Sequence, residues 1–274
     1  MTVRRLVQFA LVFIGSVALP AALPAASAEA LVGGNPMANP DYAVALTFNT
    51  ATLPGSVVER QFCTGTLIAP RWVLTAAHCL KGTRMSWYEI VLGRTTLSAG
   101  GGEIIQPVAQ YVQPRFRYFG NTGHDIALVR LARAAIETPA PIAEDGFAAG
   151  WAPGADLLVM GWGYTCPAEK HSCAADHLRA ALSRVVSDTA CIRATGHIDR
   201  ATEICTRTSG VSLGGGDSGG PAIIITLEGP RLVAVNSWGE VDRRGHDVVG
   251  GWMGYAEVAG TKLADWIAKK TKAN

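Results

Sequence analysis

From Leu31 to about Val258 the apolar residues come in short runs, each closed off by Gly, Pro, Asn or Ser. Examples are Ala43–Phe48 and residues 72–74, 126–131, 157–160, 222–226 and 232–235. Runs of this length with turn residues between them are the pattern of strands, and they predict an all-β protein of sandwich or barrel type. One stretch breaks the rule. Residues 261–270 space Leu263, Trp266 and Ile267 three and four apart, which predicts an amphipathic helix near the C-terminus. A weaker helical pattern covers residues 189–195.

A chain of 274 residues can bury one large core or two smaller ones. Residues 134–143 hold Pro139 and Pro141 and form the best candidate for a linker between two halves. A formal charge of +2, with no basic stripe, gives no sign of a nucleic-acid partner. At the N-terminus Arg4 and Arg5 precede an apolar stretch from Phe9 to Leu19, then Pro20, Pro24 and small residues. That order is expected of a secretory signal over residues 1–30, and the apolar stretch is too short to span a bilayer. The mature protein is therefore expected to be secreted, free of the membrane once the signal is removed, and by default monomeric. Six cysteines follow the signal, an even number that in an exported chain predicts three disulfides with the pairing left open. No Cys-x-x-Cys or His-x-x-x-His cluster is present, so neither a metal site nor a cofactor is expected.

Three segments carry chemistry: Thr75-Ala76-Ala77-His78-Cys79, Asp125-Ile126-Ala127-Leu128 and Gly216-Asp217-Ser218-Gly219-Gly220-Pro221. A serine hydroxyl is a weak nucleophile at neutral pH and needs a base, which in turn needs a carboxylate to orient it. His78, Asp125 and Ser218 supply those three chemical types. With the linker at 134–143, His78 and Asp125 fall in one half and Ser218 in the other, so a shared site would lie in the cleft between them.

Together with Leu31-Val32-Gly33-Gly34, Trp72-Val73-Leu74, Gly161-Trp162-Gly163 and Ser237-Trp238-Gly239, these segments resemble the trypsin/chymotrypsin family of serine peptidases, in family order and over nearly the whole mature chain. The resemblance implies two six-stranded antiparallel β-barrels, residues 31–135 and 144–274, with the active site in the cleft between them and a helix at the C-terminus. It implies hydrolysis of protein or peptide substrates, with protein inhibitors as further partners. Ser218 would attack the scissile carbonyl, His78 would accept and return the proton, and Asp125 would hold the imidazole. The N–H groups of Gly216 and Ser218 would form the oxyanion hole. Cys63 would pair with Cys79 and Cys191 with Cys205, leaving Cys166 for Cys173. A freed Leu31 amine would pair with Asp217, ordering the site on activation.

The pocket is where this chain departs from its relatives. The resemblance puts Ser212 at the pocket base, with Leu213 beside it and Ser237, Trp238 and Gly239 along one wall. An uncharged base implies an apolar residue before the scissile bond, because a buried cation without a partner is unfavourable. The family's common cysteine is absent at Gly214, and no cysteine follows Cys205. The 240–251 segment carries Glu240, Asp242, Arg243, Arg244 and Asp247 and is expected to be a solvated loop, although one of its acids, or Met253, could reshape the pocket. Arg94 stands near a position where the family's calcium loop would need an acid, so no calcium is expected there.

Two other readings compete. An α/β-hydrolase would use Ser218 in a nucleophile elbow, with Asp242 and His246 following it. A peptidase fold retained purely for binding would keep the triad but not turn over.

Cleavage after Ala30 would expose Leu31 directly, whereas cleavage after Ala28 would leave the two-residue prosegment 29–30. N-terminal sequencing of exported protein is expected to begin at Leu31; a start at Glu29 would mean that activation needs a second cut.

Overall fold

The computed structural model describes residues 31–118, 122–168 and 171–272; the expected signal segment lies outside them. Among the described residues fourteen strands run in chain order. They are β1 (Asn35–Pro36), β2 (Ala43–Phe48), β3 (Gln61–Ala69), β4 (Trp72–Thr75), β5 (Tyr88–Leu92), β6 (Glu103–Ile105), β7 (Pro107–Val112) and β8 (Ala127–Leu131). After the connecting segment come β9 (Asp156–Gly161), β10 (Arg179–Arg184), β11 (Glu203–Arg207), β12 (Pro221–Thr226), β13 (Gly229–Gly239) and β14 (Trp252–Glu257). All named pairings are antiparallel, and they form two sheets in the orders β6-β5-β2-β3-β4-β8-β7 and β1-β10-β9-β12-β13-β14-β11.

Each sheet curls because its two ends meet. In the first, β6 pairs with β5 and β7 with β8, yet β6 and β7 are one bent strand interrupted at Gln106, just before Pro107. Proline has no N–H to give a ladder, so the bend falls where pairing changes partner. Counting that strand once gives the expected six. In the second sheet, β10 approaches β11 through the Val185–Thr206 bridge and the Val186 N–H to Cys205 carbonyl bond. The seventh member there is the two-residue β1, added along β10. The parallel strand–helix alternation required by an α/β-hydrolase is absent among the described residues, which removes that alternative.

Alternation along the strands fills the interiors. Leu46, Leu67, Leu74, Ile90 and Leu128 are fully buried in the first core, and Leu157, Val159, Ala222, Val233 and Tyr255 in the second. Full burial of each large aliphatic side chain contributes about 1.5–3 kcal/mol. The C-terminal helix, Lys262–Lys272, seats Leu263 and Ile267 in the first core with Trp266 packed beside them. A second helix, Asp188–Thr195, starts on a Ser187 cap and ends at Gly196 in the left-handed conformation. No helix among the described residues is long and apolar enough to cross a membrane.

Residues 134–143 run between the sheets and are bonded to both. The Ala135 N–H donates to Pro70, Ala140 to Leu67 and Ala143 to Leu232, while Leu232 returns a bond to Pro141. Three disulfides join Cys63 to Cys79, Cys166 to Cys173 and Cys191 to Cys205. Such bridges persist in oxidising compartments.

One ionisable pair is set into this frame. Glu103 accepts the Ile136 N–H at 2.8 Å and the Arg133 guanidinium, and Glu137 shares a hydrogen bond with it. Burial, then that bond to Glu103, pushes the Glu137 carboxyl up from 4.5 to about 7. The folded chain therefore holds a proton that the unfolded chain has already released. The associated stability is full below pH 4.5 and disappears as pH rises through about 7. Thermal unfolding of Glu137→Gln, which stays neutral and keeps a donor, is expected to show a shallower loss of stability between pH 5 and 8 than the unaltered protein, by roughly the contribution of one titrating group.

Candidate active site

The edge where the barrels meet brings together residues from segments far apart in the sequence. His78 sits in the short helix Ala77–Leu80 just after β4. Its backbone N–H donates to Asp125 Oδ1 at 2.8 Å, and its Nδ1 lies 2.6 Å from Asp125 Oδ2. Ser237, on β13 of the second barrel, donates its hydroxyl to the same Oδ2 at 2.7 Å. Asp125 is only 2 % exposed, and an ionised carboxylate at that depth is tolerable only because three donors meet it. Taking the Nδ1 proton as the donor to Asp125 leaves Nε2 of His78, which is 27 % exposed, able to accept a proton from the cleft.

Ser218 enters from the second barrel. Its carbonyl accepts the Thr64 N–H at 2.8 Å and lies 3.8 Å from Sγ of Cys79, the neighbour of His78. Among the described residues no hydrogen bond runs from the Ser218 hydroxyl to His78. Such contacts tighten when substrate displaces water from the cleft. Cys63, His78 and Cys79 cluster closely enough to suggest ligands, but both sulfurs are consumed in a disulfide.

The loop before Ser218 presents backbone donors. A trans peptide puts N–H opposite C=O, so the partners of neighbouring carbonyls set the direction of each N–H. The Gly215 carbonyl accepts the Tyr164 N–H at 2.8 Å, turning the Gly216 N–H the other way. The Asp217 carbonyl accepts the Gly220 N–H at 3.0 Å and Asn236 Nδ2 at 3.1 Å, and so turns the Ser218 N–H likewise. Neither N–H is spent on an acceptor among the described residues. Gly216 has φ +95°, a conformation that favours glycine, and a Cβ there would lie 3.0 Å from the Gly163 Cα.

Asp217 itself is fully buried, accepting the Gly163 N–H at 2.9 Å and the Gly214 N–H at 3.0 Å. Leu31 is also fully buried, within the second core, and Val32 bridges to Ser212.

A cavity of about 140 Å³ opens beside Ser218, lined by Leu213, Gly214, Gly215, Ser237, Trp238, Gly239, Val241 and Asp247. Larger cavities, such as one of about 740 Å³ against the C-terminal helix, lie away from Ser218. Ser212, next to the lining residue Leu213, is 2 % exposed, with its N–H on the Val32 carbonyl and no hydrogen bond to its hydroxyl among the described residues. One sequence expectation changes here: the 240–251 segment is not wholly solvated. Glu240, Asp242, Arg243 and Arg244 are exposed, but Asp247 reaches the cavity wall. In place of the missing cysteine bridge, main-chain bonds hold this loop: Asp247 to Pro167, Val248 to Glu240 and Gly250 to Val211. Met253, opposite Gly239 in the ladder, is fully buried and does not line the cavity. Arg94 spans its own loop, donating to the Gly101 and Leu97 carbonyls at 2.9 and 3.0 Å.

The family model described as Trypsin matches residues 31–267. The chain belongs to the trypsin family. It is accordingly a serine-type endopeptidase, and its substrates are proteins or peptides. A protein named Trypsin from Saccharopolyspora erythraea is 35 % identical over 186 residues, covering 66 % of this chain and 77 % of that one.

Sequence reasoning missed the residues that support this family member's site. Tyr164 and Asn236 act through backbone carbonyls, and no residue-type pattern announces that. Glu203, 3 % exposed, accepts the Trp238 indole N–H at 3.2 Å and the Asp199 N–H at 2.6 Å. The Trp238 ring lies so flat on Gly254 that a Cβ there would fall 2.0 Å from it. Removing the acceptor in Glu203→Ala leaves two half-buried donors without their partner, at up to about 1 kcal/mol each where water reaches them in part. Because the defect is in the pocket wall, steady-state kinetics are expected to show a several-fold rise in KM with a smaller change in kcat, and a lowered Tm.

Proposed function

We propose that this family member is an exported endopeptidase that cleaves through an acyl-enzyme, with Ser218 as nucleophile, His78 as general base and then acid, and Asp125 as its orienting carboxylate. The observation that carries the reading is the double engagement of His78 by Asp125, at 2.8 and 2.6 Å, beside a cavity that opens at Ser218. Attack by Ser218 Oγ on the scissile carbonyl transfers its proton to His78 Nε2. The developing oxyanion is received by the Gly216 and Ser218 N–H groups, and His78 then protonates the departing amine. Water repeats the sequence to release the acid. Leu31, freed by signal removal, would bring its amine to Asp217; the burial of both residues supports that activation step. The three disulfides support export.

The pocket reading favours an apolar residue before the scissile bond, since Leu213, Trp238 and Val241 line it. A second reading has one observation behind it: Asp247 on the cavity wall would favour a basic residue instead.

A fluorophosphonate probe is expected to label the mature protein and not Ser218→Ala, and a mixed peptide library is expected to be cut after large apolar residues. Cuts after Lys or Arg that disappear in Asp247→Asn would favour the second reading. Absence of labelling at any pH would favour a binding role for the fold.

A further inference from the structure

The Gly216 N–H lies in the peptide plane of the Gly215 carbonyl, and the plane beyond its own Cα limits how far that first plane can turn. Tyr164 holds the preceding carbonyl. The following one, the carbonyl of Gly216 itself, receives two side-chain donors: Gln61 Nε2 at 2.9 Å and Thr64 Oγ1 at 2.9 Å. A carbonyl oxygen has two lone pairs, and both are filled here. The donors stand on β3 of the first barrel, 155 and 152 residues away in sequence from the loop that they hold. Thr64 is itself immobilised. It is fully buried, its N–H is on the Ser218 carbonyl at 2.8 Å, and its carbonyl accepts the Thr75 hydroxyl at 2.8 Å. Gln61 begins the same strand at a half-buried position on the rim.

We propose that Gln61 and Thr64 form a clamp across the two barrels that aims the Gly216 N–H into the oxyanion hole, as positioning residues for acyl transfer. The inference rests on the peptidase reading above. Glycine is needed at 216 for its positive φ, but its freedom is also a liability. In the run Gly214-Gly215-Gly216 a peptide can rotate at small local cost and carry its N–H out of the hole. Tying down the carbonyls on either side of that N–H removes the alternative. A donor fixed beforehand stabilises charge that appears only in the transition state, with no reorganisation at the moment of reaction. The clamp touches neither the cavity wall nor the His78–Asp125 pair, so its loss should fall on kcat and spare substrate binding.

The test uses the full mature protein and the activated ester p-nitrophenyl acetate, whose turnover needs no filled specificity pocket. Thr64→Val and Gln61→Met remove the donors at nearly constant shape. Each is expected to lower kcat about tenfold, and the pair about a hundredfold, approaching the loss of an oxyanion donor. KM should stay within about twofold, as expected for an interaction made only in the transition state. Thr64→Ser, which keeps the hydroxyl, should restore most of the activity, and the pH profile of kcat/KM should be unchanged. An unaltered kcat in the folded double variant would overturn the clamp. So would a loss that appears in KM alone, or one that tracks Tm and is not rescued by Ser. If Thr64→Val does not fold, Gln61→Met alone decides, and an unaltered kcat there overturns the clamp. Failure of the unaltered protein to turn over the ester through Ser218 would instead overturn the peptidase reading, and the clamp with it.

Discussion

A carboxylate taken out of water must find donors, and the place where Asp125 finds them organises the molecule. Two come from His78 in the first barrel and one from Ser237 in the second. Breaking such a site by removing one partner is far more disruptive than the net strength of any one bond suggests, because an uncompensated charge is left behind. The barrels thus share a buried anion as well as an interface. Asp217 repeats the solution, using backbone N–H groups of Gly163 and Gly214. Two satisfied buried carboxylates near Ser218 set the local backbone geometry.

Much of the fold was legible because its signal is local. The runs at Ala43–Phe48 and 157–160 are apolar enough to read as buried strands, and the Leu263, Trp266, Ile267 spacing gave the terminal helix within two residues. Strands such as β3 and β11 were harder. They include Thr64, Thr206 and Glu203, buried polar residues that break the apolar pattern while bonding to distant partners. The bend that divides β6 from β7 is likewise a property of closure: it reflects two neighbours, β5 and β8, that sequence proximity does not name.

The same division runs through the site. His78, Asp125 and Ser218 could be picked out because their chemistry demands particular residue types. The shape of the cavity could not, since it depends on how the 240–251 loop is laced down by main-chain bonds and on which of its charges turns inward.

The segment 134–143 is bonded first to Pro70 and Leu67 beside one sheet and then to Leu232 on the other, so the chain that joins the two halves is tied down along its length. A connection held in this way has little conformational freedom left to lose, so a polypeptide entering the cleft would bear most of the ordering entropy itself. On that ground loose termini and unfolded loops would fit more readily than the same sequence held in a helix or a sheet.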